Sequence, residues 1–197
     1  METDSEILAK KLDFPRAYRS KRLEVAQWVL DHPATFPDLL GYCFNTQLSF
    51  SHKAAWILEL VCIENLALLL PYLDEFFSKI PNIKKDQAIR PFSKICMTLA
   101  TAYYKKKDPQ VIQFLKPSYK TAMTEYCFDW LITDQKVAAE AYSMNTLYLL
   151  GTEIDWIHSE LKIILEQNIN SKTAAYKSRG KITLKEIEKY RLKTLKA

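Results

Sequence analysis

The stretch DQKVAAEAYSMNTLYLLG, residues 134–151, decides the fold. Val137, Ala141, Met144 and Tyr148 recur at intervals of four, three and four, with Ala138, Leu147 and Leu150 beside them. That is the period of a helix with one buried face. Asp134 stands where an N-cap belongs, and Gly151 where a helix stops in the residue after its C-cap. Thr152 is then placed to cap a further helix, whose Ile154, Ile157, Leu161 and Ile164 follow at three, four and three.

The same period runs upstream. Residues 4–11 read as a short helix capped by Asp4 or Ser5. Residues 16–31 read as a longer one, with Leu23, Val25, Ala26, Val29 and Leu30 as its stripe and Pro33 ending it. A helix over 36–44 follows. Ser51 is positioned to cap the next, which turns Ala54, Ile57, Leu58, Val61 and Cys62 inward. Residues 65–80 give another, kinked or restarted at Pro71. Asp86 opens a helix to Lys105, with Pro91 in its first turns, where proline costs least. Asp108-Pro109 caps residues 110–115, Pro117 closes that helix, and 118–131 is helical again. In the tail, Thr183-Leu184-Lys185-Glu186 has the form of a capping box, and Lys172 to Gly180 reads as a mobile linker before it.

Composition agrees with helices throughout. The chain has 197 residues, 48% hydrophobic and 26% charged, which is enough apolar material for a core and outside the disordered range. It has only three glycines, where average usage would give about 14. Hairpin turns, phosphate loops and dinucleotide folds all need glycine at positive φ, so these are excluded. No G-x-x-x-x-G-K-[ST], G-x-G-x-x-G or G-x-S-x-G occurs. The helical lyases of the adenylosuccinate lyase and fumarase superfamily carry a G-S-S-x-M-P-x-K loop that has no counterpart here. Cys43, Cys62, Cys96 and Cys127 are scattered with no C-x-x-C, as buried small hydrophobes would be in a reducing compartment. His32, His52 and His158 form no H-E-x-x-H, and no metal or cofactor is expected. The acidic, polar N-terminus is unlike a secretory signal, and no apolar run reaches the length of a membrane span. The expectation is a cytoplasmic protein away from the membrane.

The net charge of +5 is unevenly spread. Residues from Lys172 on carry +7 and the rest of the chain −2. Such asymmetry marks a possible nucleic-acid arm, with Lys172, Lys177, Arg179, Lys181 and Lys185 as its candidate contacts.

The predicted helices group as 51–80, 86–131 and 134–167, spacings typical of helical solenoids. At an offset of 48, Asp86-Gln87, Ile89, Thr98 and Leu99 line up with Asp134-Gln135, Val137, Thr146 and Leu147. The segment from Asp134 to Leu150 resembles a HEAT or armadillo-like repeat helix: an acidic cap, a valine, small residues at helix contacts and a leucine-rich end. Asp129 to Thr133 fits the preceding turn. The resemblance implies an all-α, right-handed α-α superhelix of stacked antiparallel helix pairs. It also implies a protein that binds other macromolecules on one face. The expected division is a HEAT-like domain over 1–170 and a basic linker with a C-terminal helix over 171–197.

Two kinds of function fit. The first is a non-enzymatic scaffold holding a protein or peptide on its concave face, with Trp56, Arg90, Tyr103, Tyr104, Trp130 and Asp134 as candidate contacts. The second is nucleic-acid binding. Trp130 and Asp134, one turn apart, resemble the tryptophan and aspartate of the HEAT-like DNA alkylation repair glycosylases. The distal arginine of that family has no counterpart before Arg179. Trp28, Trp56, Trp130 and Trp156 all lie on predicted helices, where aromatic rings usually belong to the core.

Overall fold

Seven of the eight prolines are spent at helix starts or between helices, and these breaks set the punctuation of the chain. The computed structural model describes residues 2–16, 18–83, 86–133 and 135–195. Its helices are α1 (Asp4–Leu12), α2 (Arg19–Asp31), α3 (Phe36–Phe44), α4 (Ser51–Glu64), α5 (Leu73–Lys79), α6 (Asp86–Thr101), α7 (Pro109–Phe114), α8 (Pro117–Ile132), α9 (Val137–Leu150), α10 (Asp155–Asn168) and α11 (Ala174–Thr194). No strand occurs among the described residues. Pro109 and Pro117 each open a helix, where a missing N–H costs nothing. Pro71 restarts the chain: short 3-10 turns at Leu66–Leu68 and Leu70–Tyr72 lead into α5 in place of one continuous helix.

The caps differ from the sequence reading in several places. Thr3, not Asp4 or Ser5, caps α1, in a reciprocal box with Glu6. Ser51 and Thr152 are not caps: Ser51 is the first residue of α4, and the Thr152 hydroxyl donates to the Leu149 carbonyl. Asp108 does cap α7, accepting from the amides of Gln110 and Val111. The cap assigned to Asp134 falls outside the described residues. Thr183 lies buried in mid-helix; the N-cap of α11 is Thr173, ten residues earlier, so residues 174–180 are its first turns and not a linker. Tyr176 is fully buried there, and a buried aromatic is what converts an exposed basic segment into a docked helix.

The helices stand in two layers. α2, α4, α6, α9 and α11 form one row, each packed against the next; α3, α8 and α10 back onto α4, α9 and both α9 and α11 respectively. α5 joins through an aromatic cluster, with Phe76 5.6 Å and Phe44 5.3 Å from the ring of Phe92 on α6. The pairs are therefore α1/α2, α3/α4, α5/α6, α8/α9 and α10/α11, one helix out of step with the grouping 51–80, 86–131, 134–167. Periodicity shows which face of a helix is apolar but not which neighbour covers it. α4 is buried on so many positions (Ala54, Ala55, Ile57, Leu58, Val61 and Cys62) that it serves α2, α3 and α6 at once. The row helices begin at Arg19, Ser51, Asp86, Val137 and Ala174. Their spacing is 32–37 residues except for the 51 between α6 and α9, where a π-helical turn (Ala102–Lys106) and α7 are inserted. The offset of 48 thus relates two neighbours in one row. Leu99 and Leu147 are both fully buried, and Thr98 and Thr146 each donate to the carbonyl four residues back.

Glycine is not used for positive φ. The residue in the left-handed region is Lys107, at φ 55°, closing the π-helical turn, and Gly151 has φ −65°. Gly151 is needed for a different reason. A Cβ there would lie 2.1 Å from Cδ2 of His158. That imidazole bonds the Tyr148 carbonyl through Nε2 at 2.8 Å, stacks on Tyr148 and meets Tyr190 of α11 edge-on. Gly151→Ala is expected to lose about 1–3 kcal/mol by overpacking. Gly151→Ala with His158→Ala is expected to lose less than the two single losses added, as urea unfolding in a double-mutant cycle would show.

Candidate functional site

Pro91 is the sixth residue of α6, beyond the first turn, so its missing N–H leaves the Gln87 carbonyl without a helical donor. The indole Nε1–H of Trp56 on α4 donates to that carbonyl at 3.0 Å. One turn along the same seam, Arg90 closes a fork on Glu59, with Nη1–Oε1 at 3.1 Å and Nη2–Oε2 at 2.5 Å. Glu59 is 6% exposed. Burial pushes its carboxyl up from the ordinary range, and the charges of Arg90, Lys94 and Arg22 oppose this.

Each other seam of the row is also bridged by a cation, over a ring or onto a polar side chain. Between α2 and α4 the Arg22 guanidinium sits 5.6 Å over the Trp56 ring. Between α6 and α9 the Lys94 ammonium lies 4.8 Å over Tyr142. From α9 toward α11, Glu140, 2% exposed, accepts from Lys172 at 2.8 Å, and Asn145 accepts from Arg179 at 3.1 Å. The open face of the row is consequently a stripe of cations and rings. Glu59 and Glu140 lie beneath it, and Ala138 and Ala141 leave its floor low on α9.

Of the residues expected to bind, Trp56 and Arg90 come together on this face, and Lys172 and Arg179 join it at the α9–α11 seam. Arg22, Lys94, Tyr142 and Asn145 were not foreseen. Their signal in the sequence is only a helical interval from an apolar stripe, which every exposed residue shares. Tyr103 and Tyr104 lie elsewhere, around the buried Lys120 of α8. Its ammonium is 3.9 Å over the Tyr103 ring and bonds both oxygens of Glu153, which also accepts from Tyr104 at 2.7 Å. This is a closed structural cluster. Trp130 is 8% exposed and packed beside Tyr126 in the other layer; Asp134 falls outside the described residues. Arg179, bonded to Asn145 and Glu186, is on a different layer from Trp130. Lys177, Lys181 and Lys185 lie along the free side of α11. Trp156, expected in the core, is 57% exposed.

Among the described residues no three His, Cys, Asp or Glu side chains come together as a metal site. All four cysteines are buried, and burial pushes the Cys127 thiol up to about 12, so none is a ready nucleophile. No single helix among the described residues is long and apolar enough to cross a membrane.

Residues 11–187 match the family model of the HEAT repeat domain. The chain belongs to the HEAT repeat family. The match runs from α1 into α11. HEAT repeats form helical scaffolds generally engaged in protein interaction. Comparison with curated proteins and with solved structures gives no match.

Two outcomes follow from the charge pairs. Arg90→Ala strands the Glu59 carboxylate and is expected to cost about 2–3 kcal/mol at pH 7, less than a fully buried pair because Arg90 is partly exposed. Without Arg90 the Glu59 pKa rises further, so the deficit is fully expressed above the variant's pKa. It shrinks as pH falls from there to the raised pKa of the native protein, because the stranded group takes up a proton first. For Glu153, burial pulls the pKa up, but the bonds from Lys120 and Tyr104 outweigh it and hold the carboxyl below its ordinary range. Glu153→Gln should cost about 1–2 kcal/mol at pH 7, since this carboxylate is nearly half exposed while its Lys120 partner is buried. That gap should close in acid, as pH falls through the depressed pKa. Urea unfolding of each variant at neutral and acid pH measures both.

Proposed function

We propose that this HEAT repeat protein is a non-enzymatic scaffold and that a protein or peptide partner lies along the open face of the α2–α4–α6–α9–α11 row, its concave side. The supporting observation is the set of cations and rings at successive seams: Arg22 over Trp56, Arg90 on Glu59, Lys94 over Tyr142 and Arg179 on Asn145. Arginine and tryptophan are the side chains that most often carry binding energy at interfaces. Glu59, Glu140 and Glu186 neutralise Arg90, Lys172 and Arg179, but Arg22 and Lys94 form no ion pair among the described residues, so the face keeps a positive surplus that suits acidic side chains on the partner. The buried, unpaired cysteines suit a reducing compartment, and the cytoplasm is the proposed location.

A second function has an observation of its own. On α11, lysines stand at every fourth position, 177, 181, 185, 189 and 193, and none of the five forms an ion pair among the described residues. A ribbon of this kind can track phosphates. This supports nucleic-acid binding but lends nothing to glycosylase chemistry.

The two separate in one experiment. The full chain, and variants Arg22→Glu/Lys94→Glu and Lys181→Ala/Lys185→Ala/Lys189→Ala, serve as bait in the native host's extract. A labelled DNA duplex is titrated in parallel at two salt concentrations. A partner on the row face is lost about tenfold or more with the first variant and retained with the second. Equal retention by all three baits overturns the scaffold reading. DNA binding that weakens with salt and disappears with the lysine variant supports the second function.

A further inference from the structure

On the layer opposite the row, α8 and α10 enclose a groove of about 430 Å³. The Phe128 ring stacks on Trp156, centroids 5.7 Å apart and planes at 19°, and Ile154 closes one end. Glu125 and Asp129 line the same groove one turn apart on α8, both exposed and without an ion pair among the described residues. No Lys or Arg lines it. Three features coincide here that separately would mean little. A tryptophan keeps more than half of its surface in water beside a groove; a second ring holds it in place; and two unneutralised carboxylates face the same space.

We propose that this groove takes an arginine side chain of a partner polypeptide, independently of the row face. The argument is charge complementarity combined with shape. A guanidinium is planar and weakly hydrated, stacks on an indole, and presents N–H donors in a fork that carboxylates accept two at a time. Glu125 and Asp129, at i and i+4, project from one side of α8 and supply those acceptors while Trp156 supplies the stacking surface. An ammonium gains the charge but not the planar stack, so arginine binds better than lysine at the same position. The α11 lysines are therefore poor occupants from a second copy.

The test uses the full chain, labelled with ¹⁵N, and two peptides of alternating Gly and Arg or Gly and Lys. The chain has four tryptophans, and the Trp156 indole signal is assigned by its loss in Trp156→Phe. The arginine peptide is expected to shift that signal and leave the Trp56 indole in place, with the lysine peptide at least severalfold weaker. Glu125→Gln/Asp129→Asn should weaken arginine binding by about tenfold. Both sites are solvent-exposed, so the helical melt should be unchanged. An unmoved Trp156 signal overturns the proposal, as does equal binding by the carboxamide variant. So does a Trp156 shift that depends on protein concentration without peptide and accompanies a doubling of mass, because the occupant is then a second copy.

Discussion

The seam between α4 and α6 is fixed by a carbonyl that the sequence itself sets free. Pro91 has no N–H to give Gln87, and the indole of Trp56 fills the gap from the neighbouring helix. A proline in a helix interior ordinarily costs about 3 kcal/mol, partly through that lost bond. Here the orphaned acceptor becomes the anchor point of the next repeat. With α4 held at that height, Glu59 falls opposite Arg90, and α6 is presented to α9.

The polar pairs along the row set alignment more than net stability. Burying Glu59 and Glu140 costs desolvation that their partners roughly offset. The apolar layer between the two sheets of helices supplies the driving force, through side chains such as Phe36, Phe76, Phe92 and Leu147 that exclude water completely. A slip of α6 along α4 by one turn would strand the Glu59 carboxylate and the Gln87 carbonyl, so these polar contacts act against misregister. The same residues that fix the register leave cations and rings on the open face, which makes architecture and candidate binding surface one set of side chains.

Much of the fold was legible locally. The stripes of α4 and α10, the Asp108-Pro109 start of α7 and the span of α3 all follow from period and backbone chemistry, whereas on α9 only Met144, Leu147 and Leu150 of the expected stripe are buried, and Pro117 opens α8 instead of closing α7. Among the readings that failed, three show the reason most directly. Thr183–Glu186 has the pattern of a capping box, but the burial of Tyr176 extends α11 upstream past it. Gly151 sits where a left-handed C′ residue belongs, yet its missing Cβ makes room for an imidazole seven residues on. Trp156 is an aromatic on a helix, where rings usually belong to the core, but it lies off the Ile157, Leu161, Ile164 stripe, and α8 offers it only Phe128 and a groove.

The sequence by itself determined that this chain is all-helical, where most helices begin and end, and that it belongs with helical repeats, because intervals of three and four and the placement of proline are properties of short stretches. Only the tertiary structure decided which helices pair and what the open face carries. Lys94 meets Tyr142, Arg22 meets Trp56 and Glu140 meets Lys172 across intervals of about thirty to fifty residues. A periodic pattern specifies a direction around one helix axis. It contains no information about the distance to another axis, and it is that distance that turns a solvated charge into a seam, and a row of seams into a surface.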